Sequence, residues 1–267
     1  MAYLPMVTKL SWLRLVWLQA VLLVITSSAF AAQSVIVYGD MDYPPYSYQV
    51  DGKPEGIYVE ILTEAFSRMP EYEVSIRMTP WKRGLKNLKD GRVFALFPPY
   101  YTELRDPWMK FSAPILREQV VVFGKREIFE DRYQWPVDYY GLKIGLNRGF
   151  NPFSMGGNAF GDAVEAGRIR VDESANNDSN LAKLVSGRID AYINDQFIDI
   201  SDYPEIVIGG VANVNHGHLG YTRKTDKYPY SADFQQQFDT AIGQMIEENQ
   251  IEEIVNAHLA KLKAQRD

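Results

Sequence analysis

Cysteine is absent from all 267 residues. Disulfides, thiolate catalysis and cysteine-held metal clusters are therefore excluded, and no thiol is available for a lipid anchor. Histidine is nearly as scarce, with three residues. His216 and His218 share one strand face, a geometry that could hold a metal, but a single further histidine makes a metal site unexpected. The sequence has no G-x-S-x-G, no H-E-x-x-H and no P-loop, and "GGNAFG" does not match the dinucleotide fingerprint G-x-G-x-x-G, so no cofactor is expected. A positive balance is missing too. The chain carries 28 basic against 34 acidic residues, net −6, which argues against nucleic acid as a partner because phosphate binding wants a basic face. There is no repeat of fixed period and no low-complexity linker.

One long apolar run is present, at the start. Lys9 and Arg14 precede "LVWLQAVLLVI", followed by "TSSAFA". A positive stretch, a short apolar run and small residues at Ala29 and Ala31 form the layout of a secretory signal peptide, cut after Ala31. The run falls short of the roughly 20 residues needed to cross a bilayer. Removing residues 1–31 leaves 26 basic and 34 acidic residues. The expected product is soluble and secreted, with the periplasm as its natural address.

The remainder alternates strand-like and helix-like segments. "SVIVYG" (34–39), the helical face of "IYVEILTEAFSRM" (57–69), the alternating "YEVSIRM" (72–78), the short helix "WKRGLKNLKDG" and "VFALF" (93–97) follow a β-α-β-α-β order. That order implies a parallel sheet with helical crossovers. "QVVVFGK" (119–125) leads out of the pattern. A second series begins at "LKIGL" (142–146) and includes "IRV", the helix "NDSNLAKLVSG" capped at Asp178 or Ser179, "RIDAYIN" and "EIVIGG". "HLGYTRK" (218–224) reads as a strand returning to the first unit, and helices at about 232–248 and 250–264 finish the chain. The expectation is two α/β lobes joined by strand-like crossings near 119–125 and 217–223, with lobe 1 at 32–121 plus 220–267 and lobe 2 at 122–219.

Ligands of open parallel sheets bind beyond the carboxyl ends of the strands. "DMDYPPY", "TPWKR", "PPYYTELR", "NRGFN" and Asp195 all follow such ends. Each residue has a plain structural alternative. Asp195 could cap a helix beginning at "QFIDI", Tyr43 could be loop packing, and Trp81 could be a core residue at a helix start. Arg105 could pair with Asp106 on the surface. Thr102 reads as a helix N-cap, which would put Arg105 in a first helical turn, where a cation is mildly unfavourable unless an anion joins it. Taken together they form a coherent zwitterion site: arginine for a carboxylate, Asp195 for an ammonium, rings for the apolar part.

These residues carry a resemblance. "DMDYPPYSYQVDGKPEGIYVEILTEAF", "TELRDPWMKFSAPI" and "LVSGRIDAYIND" resemble, in order and spacing, the family 3 extracellular solute-binding proteins, the polar amino acid-binding type of ABC importers. The resemblance implies a type II periplasmic-binding-protein fold with two lobes and two hinge strands. It implies a monomer that binds a small molecule and docks on an ABC permease. It places Arg105 on the ligand α-carboxylate, Asp195 on the α-ammonium, Tyr43 and Trp81 on the ligand side chain, and Asp40 at a polar contact. Thr102 and Arg105 match the T-x-x-R segment, with the helix start addressing the carboxylate alongside Arg105. The family's small hydroxyl residues before that segment are replaced by Pro98, Pro99 and Tyr100, and a later Ser/Thr pair by Phe150 and Asn151. Tyr100 and Asn151 are the expected substitutes in the carboxylate clamp. Two other uses of the scaffold stay open: a cyclohexadienyl-dehydratase-like enzyme, and a sensory binding protein without a permease.

Overall fold

The computed structural model describes residues 32–265, so the expected signal peptide lies outside the described residues. The first series comprises β1 (Gln33–Asp40), β2 (Asp42–Tyr43), β3 (Ser47–Val50), β4 (Lys53–Glu55), α1 (Ile57–Ser67), β5 (Tyr72–Thr79), α2 (Trp81–Lys89), β6 (Ala95–Phe97) and β7 (Met109–Phe111). The second comprises β8 (Leu116–Lys125), β9 (Lys143–Asn147), α3 (Pro152–Gly156), α4 (Asn158–Glu165), β10 (Arg170–Ser174), α5 (Asn177–Val185), β11 (Ala191–Asp195) and β12 (Ile206–Gly217). β13 (Gly220–Thr222), α6 (Ser231–Glu247) and α7 (Gln250–Ala264) end the chain.

Two five-stranded sheets result, ordered β5-β1-β6-β13-β7 and β10-β9-β11-β8-β12. In each, three parallel strands are followed by a fourth that runs opposite to them and a fifth that pairs antiparallel with the fourth. The parallel part follows from helical crossovers, since a strand re-entering a sheet in the same direction needs a long return. β2, β3 and β4 form a small separate sheet beside β1. This is a mixed α/β, two-lobe architecture.

The chain passes between the sheets twice, from β7 to β8 and from β12 to β13. The two passages run side by side: the Ser112 amide donates to the Leu219 carbonyl at 2.9 Å and the Ile115 amide to Gly217 at 2.9 Å. Residues 119–125, expected as a crossing, lie inside the second sheet because β8 pairs along its length with β11 and β12. The cap of α5 also differs from expectation. Asn176 supplies it, its side chain accepting from the Ser179 amide at 3.0 Å, ahead of both Asp178 and Ser179.

Packing follows the sequence periodicity. α1 buries Ile57, Tyr58, Ile61, Leu62, Ala65 and Phe66, a stripe at helical spacing. α6 presents Phe234, Phe238, Ile242 and Met245 to the first sheet. Phe234 is the hub, with ring centroids 4.9 Å from Tyr72, 5.2 Å from Phe94 and 6.1 Å from Phe66. The second lobe has its own core around Val120, Ile144, Leu146, Phe160 and Ile193. Phe150 packs against the clusters of both lobes.

Truncating the hub opens a void that rigid neighbouring rings cannot refill. Phe234→Ala should therefore cost about 3–5 kcal/mol, measured as a lowered urea midpoint at unchanged slope.

Candidate functional site

The carboxyl ends of the central strands converge. Asp40 closes β1 opposite Thr79 of β5, and Gly39 lies opposite Phe97 of β6. Pro80 then starts α2 with Trp81 as its first residue. Asp40, Tyr43, Trp81, Tyr100 and Arg105 thus reach one cavity, roofed by Pro98 and met from beyond β9 by Phe150, Ser154 and Met155. The cavity encloses about 20 Å³, room for roughly one water molecule. Rings fill the rest. Tyr43 stacks on Tyr46 at 5.1 Å and meets the edge of Phe150 at 5.7 Å.

Arg105 is the cation of this cavity. It is 7% exposed, its Nη1 donates to the Tyr100 carbonyl at 2.8 Å, and its guanidinium lies 5.8 Å from the Trp81 ring centroid. No carboxylate among the described residues pairs with it. Asp106, its expected surface partner, instead faces Arg223 at 3.2 Å. Burial pushes the Arg105 guanidinium down to about 10.

The helix expected after Thr102 is not formed. Residues 103–108 are turns, in which the Thr102 carbonyl accepts from the Arg105 and Asp106 amides at 3.0 and 3.2 Å. Pro107 has no amide to continue the ladder, so no helix dipole joins Arg105. Thr102 lies outside the cavity. Its hydroxyl is buried without a partner, and it lines a neighbouring groove with Asn213 and Asn215. Asn151 is a helix cap rather than a cavity residue, its side chain accepting from the Ser154 amide at 3.2 Å ahead of Pro152.

Acids surround the cavity from behind. Asp40 is 4% exposed, accepts from the Asp42 amide at 3.2 Å, and is pushed up to about 7 by burial. Asp195 does not line the cavity; it closes β11 opposite Val120 of β8. No helix begins after it. Its Oδ1 accepts from the Phe197 amide at 2.8 Å, and the Tyr46 hydroxyl acts on the same carboxyl. Burial, then the charge of Glu118, raise it well above the usual carboxylate range.

Glu118 of β8 is the residue that reading the sequence missed. It is fully buried, and its carboxyl lies at hydrogen-bond distance from the Tyr43 hydroxyl (2.8 Å), the Tyr100 hydroxyl (2.6 Å) and the Tyr58 hydroxyl. Parity gave no signal, for Val121 and Phe123 on the opposite face of the strand are buried as well as Val120 and Val122 on its own. Tyr100 ties the elements together. Its carbonyl holds Arg105, its hydroxyl meets Glu118, and the charge of Asp195 acts on it.

Asp40 gives a pH prediction. Its folded value of about 7 lies above the ordinary 3.8, so between those values the native state binds more protons than the unfolded chain. Stability should therefore fall as pH rises from about 4 to about 7 and flatten beyond, by at most about 4 kcal/mol from this group. Urea midpoints across that range should show the decline, and Asp40→Asn should make it shallower.

The sequence profile of the bacterial extracellular solute-binding proteins, family 3, matches residues 35–261. Among curated protein sequences none matches significantly. Solved structures do. A histidine kinase sensor domain with similarity to periplasmic binding proteins is 22% identical, with 85% of this chain and 96% of that one covered at a TM-score of 0.69. An amino acid ABC transporter substrate-binding protein, AbpA, from Streptococcus pneumoniae, bound to L-arginine, is 16% identical over 84% of this chain and 94% of that one, TM-score 0.66. The ancestral amino acid-binding protein AncCDT-1, a precursor of cyclohexadienyl dehydratase, is similar to the same extent, 16% identical over 84% and 94%, TM-score 0.66. These likenesses establish the fold.

Proposed function

The chain belongs to family 3 of the bacterial extracellular solute-binding proteins, and on that premise we propose that it captures a small carboxylated or zwitterionic solute, an amino acid or a relative, and delivers it to an ABC permease from the periplasm. The carrying observation is the buried guanidinium of Arg105, which lines the cavity, is 7% exposed, and has no carboxylate partner among the described residues. Removing a charge from water without a counter-charge costs several kcal/mol. A solute carboxylate is the missing counter-charge, and the planar fork of arginine suits it in a bidentate contact.

The remaining groups supply the other half of a zwitterion. Asp195, buried at the end of β11 beside Tyr46, suits an ammonium; Tyr43, Trp81 and Phe150 suit an apolar or flat side chain. Pro98 and Pro99 have no amides to offer a carboxylate, so Arg105 bears more of the contact here than it would with a full clamp. The cavity of about 20 Å³ admits an amino acid only after the lobes part, which makes hinge opening the entry step.

A second reading rests on Asp40 and Glu118, two buried acids each raised to about 7. Such groups can exchange protons near neutral pH, as an enzyme acting on cyclic precursors of aromatic amino acids would require. Turnover of such a compound by the purified protein would establish it; binding without turnover would dismiss it.

A thermal-shift screen over amino acids, amines, oligopeptides and aromatic acids tests the binding reading. A ligand at 100 times its Kd should add about 2.7 kcal/mol of stability. Arg105→Ala should abolish the shift and leave the melting temperature of the empty protein no lower, since it relieves an unpaired buried charge. A large loss of empty-protein stability would instead identify Arg105 as a structural residue.

A further inference from the structure

The carboxyl of Glu118 and three tyrosine hydroxyls make four contacts. Tyr58 reaches Oε1. Tyr43 and Tyr100 both reach Oε2, at 2.8 and 2.6 Å, and their hydroxyl oxygens lie 2.8 Å from each other. Each contact at hydrogen-bond length needs one proton between its two oxygens. Three phenols bring three protons. The Tyr58 proton is used on Oε1, which leaves two protons for the three edges of the Tyr43–Tyr100–Glu118 triangle. With an ionised carboxylate, one edge is two oxygens facing each other with no proton.

We propose that Glu118 is a positioning residue of the cleft, carrying the fourth proton and thereby closing a ring of hydrogen bonds that fixes the hydroxyls of Tyr43 and Tyr100. This rests on the reading of the cleft as the ligand site, since both tyrosines line its cavity. In the closed ring each member donates once: Glu118 to one tyrosine, that tyrosine to the other, and the second tyrosine back to Oε2. Loss of the proton to solvent turns both hydroxyls toward the carboxylate and breaks the Tyr43–Tyr100 edge.

The surroundings agree. The groups facing Glu118 are Tyr43 from β2, Tyr58 from α1, Tyr100 after β6 and the acid Asp195 from β11, with the charge of Glu118 also acting on Tyr46. Asn215 stands opposite on β12. Arg117 is exposed, and no cation among the described residues forms an ion pair with Glu118. Nothing cationic in contact favours ionisation; the tyrosine hydroxyls pull the Glu118 carboxyl down, and burial outweighs them and pushes it up to about 7. Gly217 shows how closely the cluster is fitted. A Cβ there would overlap the Tyr58 hydroxyl and come within 2.8 Å of Glu118 Oε1.

Carbon-13 labelling at the glutamate carboxyl and at the tyrosine phenol carbon, followed by NMR across pH 4 to 9, tests this without any ligand. One glutamate should titrate near 7 while exposed ones titrate near their ordinary value of about 4.3, and its signal should vanish in Glu118→Gln. The Tyr43 and Tyr100 signals should move with that same midpoint in the wild type and stay flat in Glu118→Gln, whose neutral amide still offers a donor. Every glutamate titrating below about 5.5 would overturn the proposal, as would tyrosine shifts that keep their midpoint in the variant. Should Glu118→Gln fail to fold, the wild-type glutamate titration decides alone. A failed ligand screen would count against the binding reading and leave these titrations as they are.

Discussion

A guanidinium taken out of water has to be answered by charge or by enough hydrogen bonds, and Arg105 has little of either. One carbonyl and the face of Trp81 hold it in place. These contacts orient a cation but do not neutralise it; a cation–π contact contributes roughly 0.5–2 kcal/mol, less than the several kcal/mol lost on burial. The protein therefore keeps a permanent electrostatic deficit at the bottom of its cleft. The surrounding structure serves to hold that deficit steady: strand ends bring Asp40 and Trp81 to it, and the turn over 103–108 presents the arginine without the rigidity of a helix.

The acids show the same logic with the opposite sign. Asp40, Glu118 and Asp195 are all buried and all raised by burial first. A charged trio behind one cation would be costly, and protonation relieves that cost without moving a side chain. The cleft is thus less negative near neutral pH than a count of its acids suggests. On the proposed binding reading, an anionic group arriving at Arg105 would meet carboxyls that are partly neutral, and binding strength would depend on pH through groups that need not touch the solute.

Much of this was legible in the sequence. The β-α-β order, the parallel strands and the gathering of Asp40, Tyr43, Trp81 and Arg105 at strand ends all follow from periodicity and from the rule that such ends form crevices. The failures have particular causes. Thr102 looked like a cap because its residue type fits, but Pro107 five residues on denies the helix an amide. Asn151 was expected in the carboxylate clamp because it stands in for one of the family's Ser/Thr pair, yet Asn before Pro is also the signature of a helix start, and here its side chain caps α3. Glu118 was passed over because a lone acid in "LREQVVVF" reads as solvent-facing. Both faces of the strand beyond it are apolar and buried, so parity does not point it inward, and only tertiary structure supplies the three tyrosines, drawn from 75, 60 and 18 residues away.

Those separations carry a further consequence. Tyr43, Tyr58 and Tyr100 belong to three different elements of the first lobe, while Glu118 lies on β8, just after the chain has crossed between the sheets. The cluster is therefore built into the passage on which the lobes would turn. Tyr43 and Tyr100 both line the cavity and both turn a hydroxyl toward Glu118. A solute that displaces either ring must also disturb the hydrogen bonds behind it. Selectivity for the shape of a solute and the energetics of the hinge are in this way made of the same atoms, and a change at Glu118 is felt at both. An aliphatic residue at position 118 would leave three buried hydroxyls to find other partners, a loss of about 1–3 kcal/mol for each one left unsatisfied. The tyrosines and the acid therefore stand or fall as a unit.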